Sequence, residues 1–123
     1  RPIGSYASVR NLPVALLLHL PDAVSFEQAA AATLQGLTAH MLVNRVTQLQ
    51  AGDCALVHAA AGGLGLLLVQ WLKHKGCRVI GTTGSEAKAE LAGAHVCDEV
   101  ILYNEEPFTD GVRRRGAGPC CAR

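Results

Sequence analysis

The segment from Val57 to Leu72 constrains the fold of this chain most. An apolar run over 54–59 passes through alanines and glycines into a second apolar run over 66–72. This order predicts a buried strand, a tight turn and a helix. Glycines at the turn leave the first N–H groups of the helix without partners and let a ligand approach the backbone closely. Those N–H groups and the positive end of the helix dipole suit a pyrophosphate, so the segment predicts a dinucleotide-binding site.

The small residues at this turn approximate the dinucleotide fingerprint G-x-G-x-x-G. Its three glycine positions are occupied by Ala60, Gly62 and Gly65, so alanine replaces the first glycine. Such a match is weak alone, and the strand before it and the helix after it strengthen it. The alternative is a glycine-rich turn that only lets the helix pack on the strand.

The pattern from residue 51 onward predicts alternating strands and helices. Strands are predicted at 54–59, 77–82 and 99–103, with helices at 63–75 and from a cap at Ser85 through Leu91. Gly76 occupies the position of a glycine that ends a helix. The β-α-β-α-β order predicts an α/β fold with parallel pairing, which is one half of a doubly wound Rossmann sheet. We expect the other half to lie outside this chain, as in a piece of a larger protein.

The segments on either side of this unit are predicted from local signals. Residues 1–25 are predicted to be mostly extended, with strand-like alternation over 5–9. Ser25 and Gln28 fit a capping box that begins a helix, which Gly36 is expected to interrupt before a second helix starts at about Thr38. Residues 111–123 lack periodicity and are predicted to be an irregular, disordered tail. Their bias resembles GC-rich DNA read out of frame; a basic interaction tail is the alternative.

The residues after the second predicted strand favour NADPH over NADH. Sites that prefer NAD place an acid there to bind the ribose hydroxyls. This chain has Thr82, Thr83 and Ser85 instead, with no acid before Glu86, and Lys88 follows within one helical turn. A carboxylate at that point would repel a 2′-phosphate by about 4 kcal/mol near a protein surface. Hydroxyls and a lysine would attract the 2′-phosphate instead. The alternative is that Lys88 is an ordinary solvated helix residue.

Composition excludes several classes of partner. The net charge of +1 argues against nucleic acid or a membrane surface bound through bulk charge. The glycines of the turn argue against a membrane span through the apolar run. Five cysteines without a framework spacing indicate a reducing, cytoplasmic setting without disulfides. No His-x-x-x-His or Cys-x-x-Cys spacing occurs, so no metal is predicted.

Four segments together resemble the zinc-independent quinone oxidoreductases, the zeta-crystallin-like branch of the medium-chain dehydrogenase/reductase superfamily. They lie at 26–31, 34–39, 52–53 and 57–65, and the resemblance extends from about Gly4 to Phe108. It implies that 1–24 ends a GroES-like catalytic domain, 25–50 forms linking helices and 51–110 is a partial dinucleotide-binding domain. It also implies hydride transfer from NADPH to a quinone or another activated alkene or carbonyl, without metal, in a homodimer.

The resemblance also implies roles for individual residues. Thr38 would lie near the nicotinamide and orient it, the one catalytic role. Ser85 and Lys88 would hold the 2′-phosphate, and Tyr103 would lie against the adenosine. The turn residues would contact the pyrophosphate: Ala60, Ala61, Gly62, Gly63, Leu64 and Gly65.

Three positions differ from residues that are usual in this family or its superfamily. Leu64 stands where valine is usual, a change that should be tolerated. Val96 stands where glycine is usual, and a β-branched residue would be strained there if the backbone needs a positive φ. Gln35 stands near the position of a cysteine that binds zinc in other members of the superfamily, and glutamine is a poor zinc ligand.

The sequence is also compatible with two other functions. One is an enoyl reductase of the same superfamily that acts on an acyl thioester. The other is a non-catalytic protein that keeps the fold as an NADPH-binding or structural module, as lens crystallins of this type do. The chain by itself is expected to be catalytically inactive and marginally stable, because half a sheet buries less surface than a complete domain.

Overall fold

A computed structural model of the chain describes residues 6–115 and contains a three-stranded parallel sheet. The strands are β1 (Cys54–Val57), β2 (Arg78–Thr83) and β3 (Glu99–Leu102), and they lie in the order β1-β2-β3. Crossover helices join them in the predicted β-α-β-α-β succession. The predicted fold class, an α/β partial Rossmann sheet, is confirmed.

Residues 6–115 contain four α-helices. They are α1 (Phe26–Met41), α2 (Gly63–His74), α3 (Glu86–Ala94) and α4 (Phe108–Arg115), and a π-helical turn, Leu42–Val46, follows α1. One face of the sheet packs against α2, α3 and the π-helical turn through small apolar side chains. The buried core there consists of Val43, Ala55, Val57, Ala60, Val69, Leu72, Cys77, Val79, Ala92 and Cys97.

The helix α1 begins where the sequence predicted and ends later. The Ser25 hydroxyl accepts a hydrogen bond from the Gln28 N–H at 3.2 Å, and Gln28 Oε1 accepts one from the Ser25 N–H at 3.0 Å, which confirms the capping box. The predicted break at Gly36 is wrong, because α1 runs unbroken past it. A helical glycine costs only about 1 kcal/mol relative to alanine. On either side of Gly36, α1 contacts α2: the Gln35 side chain lies beside Gly63, and the His40 ring lies 5.6 Å from the Trp71 ring.

Two further local predictions are corrected. Residues 6–9 form bends rather than a strand, since no neighbouring strand pairs with them. The tail predicted to be irregular from residue 111 is helical over 111–115, within α4; residues 116–123 lie outside the described residues. Side chains distant in sequence hold α4: Arg115 Nη1 donates to Glu106 Oε1 at 2.6 Å, and the Arg115 guanidinium lies 3.5 Å from Glu99.

Two helices end in the same hydrogen-bonded motif with different residues at the critical position. After α2, the Cys77 N–H donates to Leu72 O and Gly76 has a φ of +81°, as predicted for a terminal glycine. After α3, the Cys97 N–H donates to Ala92 O, and Val96 has a φ of +64°. The conditional prediction about Val96 therefore applies, and this valine is strained.

We expect Val96→Gly to stabilise the chain by about 1 kcal/mol. The left-handed backbone costs a non-glycine residue about 1–2 kcal/mol, which glycine avoids, at a smaller cost in entropy of the unfolded chain. The side chain is 54% exposed, so little packing is lost. Urea unfolding measures the change, and Gly76→Val, at the matching position of α2, should destabilise. An unchanged or lower stability for Val96→Gly would show that no strain is stored there.

Candidate cofactor-binding site

The helix α2 starts directly on the carboxyl end of β1. Gly62 precedes it in an extended conformation, and the first turn of α2 contains no acidic residue. A Cβ on Gly65 would collide with Ala59 O and would lie 2.8 Å from the carbonyl carbon of Ala60, so no side chain fits. The close approach leaves the first N–H groups of α2 at the edge of the sheet where α/β folds bind ligands.

Ala60, at the first position of the fingerprint, is fully buried. Its methyl group packs beside Gly81 of β2, where an added Cβ would lie only 2.7 Å away. The Ala60 N–H donates to Thr82 O at 3.0 Å, and Ala59 before it has a φ of +51°. Alanine fits this position because Gly81, on the neighbouring strand, has no side chain to occupy the space of the alanine methyl group.

A cleft of about 110 Å³ lies at the carboxyl ends of the strands, beside this turn. Five of the predicted site residues line it together: Ala61, Gly62, Thr83, Lys88 and Tyr103. Ala59 and Gly84 also line it, and the sequence analysis missed both. Gly84 had a detectable signal, because it stands between the second predicted strand and the helix cap.

The start of α3 forms one end of this cleft. Ser85 is the N-cap residue, and its side chain makes no capping hydrogen bond to α3. Its carbonyl oxygen instead accepts from the Thr83 hydroxyl at 3.4 Å. Lys88 lies exposed in the first turn, as does Glu86, the one acidic residue of that turn. Lys88 therefore lines the cleft, and Ser85 directly follows the lining residue Gly84 without lining the cleft itself.

Several predicted site residues lie elsewhere. The Thr82 side chain is buried, and its hydroxyl is 3.1 Å from Nδ1 of His58. Thr38 lies in the last turn of α1, where its hydroxyl donates to Leu34 O at 2.7 Å. Gly63 lies against the side-chain amide of Gln35 in α1, from which a Cβ at Gly63 would be only 2.8 Å away. Cofactor contacts by these residues, and by Leu64, stay predictions.

Within residues 6–115, no group of three metal-ligating side chains lies close enough together to hold a metal ion. No helix in that range is both long enough and apolar enough to cross a membrane. Three cysteines there, Cys54, Cys77 and Cys97, form no disulfide. Burial raises the pKa of the Cys97 thiol, so it stays protonated as a small apolar side chain of the core.

The fold and the turn define one half of a dinucleotide-binding Rossmann domain. No family model matches the chain. It is similar to the quinone oxidoreductase of Pseudomonas aeruginosa, with 46% identity over 120 residues, covering 98% of this chain and 37% of that protein. It also matches the 2-haloacrylate reductase of a Burkholderia species, 36% identical over 119 residues, covering 95% of this chain and 36% of that protein.

Among solved structures, the chain superposes on Escherichia coli quinone oxidoreductase in complex with NADPH. The TM-score is 0.77 at 41% identity, covering 80% of this chain and 30% of that one. The predicted resemblance to quinone oxidoreductases is thereby confirmed. The chain spans about a third of the length of each of these relatives.

Gly65→Ala should destabilise the chain by about 2 kcal/mol. The added methyl group meets main-chain atoms, which cannot move aside as a flexible side chain can, and overpacking of this kind typically costs 1–3 kcal/mol. Gly36→Ala is the matched control, because nothing lies within 4 Å of its added Cβ and alanine favours the helix. Thermal unfolding should show the first variant melting below the parent chain and the second above it; equal melting temperatures would contradict the packing argument.

Proposed function

We propose that this chain forms the NADPH-binding part of an oxidoreductase that transfers hydride to a quinone or another activated alkene or carbonyl. One observation carries the proposal: the glycine turn, Lys88 and Tyr103 line the same cleft at the carboxyl ends of the strands. The NADPH complex of the similar E. coli enzyme supports the choice of cofactor.

The glycine turn is proposed to bind the pyrophosphate through main-chain N–H groups. Gly62 has no side chain that would cover the turn, and Gly65 brings the start of α2 against β1. The dipole of α2 would therefore act on the pyrophosphate at short range. Backbone donors require no particular side chains. Leu64 in place of valine is therefore compatible with binding.

The end of the cleft at α3 is proposed to hold the 2′-phosphate. Lys88 supplies a positive charge, and the Ser85 hydroxyl, which makes no capping bond to α3, supplies a donor. Tyr103 is half-exposed beside them and offers a flat surface for the adenosine. No acid among the described residues lines the cleft, in contrast to sites that bind the free ribose hydroxyls of NAD.

The bound coenzyme would supply the hydride, while the protein holds donor and acceptor in reacting geometry. A quinone is already electrophilic, so little acid–base assistance is needed. In this proposal Thr38 orients the nicotinamide. The relative named 2-haloacrylate reductase favours including activated alkenes among the acceptors. A homodimer and a cytoplasmic location stay predictions of the sequence.

Lys88→Ala should weaken NADPH binding about tenfold and NADH binding less than twofold. A hydrogen bond to a charged group contributes about 1.5–3 kcal/mol, and only NADPH carries the second phosphate. Isothermal titration calorimetry on the 123-residue chain measures both affinities.

Lys75→Ala provides the control, because Lys75 lies at the opposite end of α2, near Val43 O. It should change neither affinity. If Lys88→Ala weakens both coenzymes equally, or neither, Lys88 does not bind the 2′-phosphate. If the unmodified chain binds neither coenzyme, the proposed function is wrong for this chain.

A further inference from the structure

The turn between β2 and α3 is held in place by the residues that follow β3. Asn104 Nδ2 donates a hydrogen bond to Gly84 O at 2.7 Å. The Tyr103 N–H donates to Thr83 O at 3.1 Å. The Tyr103 ring fills the space above Gly84, where an added Cβ would lie 2.6 Å from the phenolic oxygen. Three contacts from one short segment thus fix one turn.

The bond from Asn104 sets the direction of the peptide that joins Gly84 to Ser85. Every peptide bond among the described residues is trans, so the C=O and N–H groups of this peptide point to opposite sides. With the carbonyl held toward Asn104, the Ser85 N–H faces away from Asn104. Rotation of this peptide would bring the Gly84 carbonyl oxygen to the side where the Ser85 N–H now lies. A phosphate on that side would then meet a carbonyl oxygen, which repels it, in place of an N–H donor.

Gly84 makes this rotation easy unless something prevents it. Glycine lacks the steric restrictions that confine φ and ψ in other residues. The Ser85 side chain makes no capping bond that could hold the turn from the α3 side. The hydrogen bond from Asn104 is therefore the polar side-chain contact that restrains the Gly84 carbonyl.

We propose that Asn104 is a positioning residue for the 2′-phosphate, acting through the Gly84 carbonyl without touching the coenzyme. The inference rests on the proposed NADPH site and adds to it a residue outside the fingerprint and outside the cleft. Part of the preference for NADPH over NADH would then depend on Asn104, which follows β3.

The experiment compares two probes that differ in one phosphate, adenosine 2′,5′-bisphosphate and adenosine 5′-monophosphate. Both are titrated calorimetrically into the full chain and into the Asn104→Ala and Asn104→Asp variants. Each variant removes the donor, and the second keeps the shape of the side chain. Affinity for the bisphosphate should fall about fivefold in Asn104→Ala, the range of one hydrogen bond, and further in Asn104→Asp because its charge repels phosphate.

The monophosphate should change less than twofold in Asn104→Ala, a selectivity that a general loss of structure would not produce. The matched control is Asn44→Ala, which removes a similar bond from Asn44 Nδ2 to His40 O at 3.2 Å, far along the chain from the turn. It should leave both affinities unchanged.

Each possible failure has a different signature. If Asn104→Ala changes the affinity for neither probe, the positioning role is wrong while the NADPH site stands. If the parent chain itself does not prefer the bisphosphate, the proposed function fails and this inference fails with it. A fall of equal size for both probes in Asn104→Ala would overturn the inference in favour of a purely structural role.

Discussion

The rest of the structure depends on the absence of a side chain at Gly65. Because nothing extends from that Cα, the first turn of α2 rests on the main chain of Ala59 and Ala60. A larger residue would push the helix away from the strand and carry its N–H groups out of reach of a ligand at the sheet edge. The same contact brings the turn beside Thr83 and Gly84, which completes the cleft. The proposed coenzyme site is therefore a consequence of close backbone packing.

Other small residues extend this principle across the sheet. Ala60 occupies a glycine position of the fingerprint because Gly81 leaves room for its methyl group on the adjacent strand. Gly111 lets α4 lie against Ile101, where an added Cβ would be 3.0 Å from two of its carbon atoms. Only 4% of the residues are aromatic, so close approach of small side chains supplies the packing that larger side chains supply elsewhere.

Sequence alone predicted the features that depend on local signals. Alternating apolar runs predicted the parallel sheet. The Ser25 capping box correctly predicted the start of α1, and Gly76 the end of α2. Features that depend on distant partners were missed. Gly36 did not break α1, because α1 packs against α2, and α4 formed where no pattern predicted it, because Glu99 and Glu106 hold its arginines. In the site, Gly84 had a local signal, whereas the role of Asn104 depends on how β3 ends beside β2.

We propose that main-chain N–H groups at the start of α2 bind the pyrophosphate of a reduced coenzyme. The most direct measurement follows the backbone amide resonances of the isotope-labelled chain by NMR during titration with NADPH. We expect saturable shifts at Gly62, Gly63 and Gly65, with amides at the opposite end of α2, such as that of Lys75, unmoved. Shifts confined to residues outside the turn, or none at saturating NADPH, would contradict it.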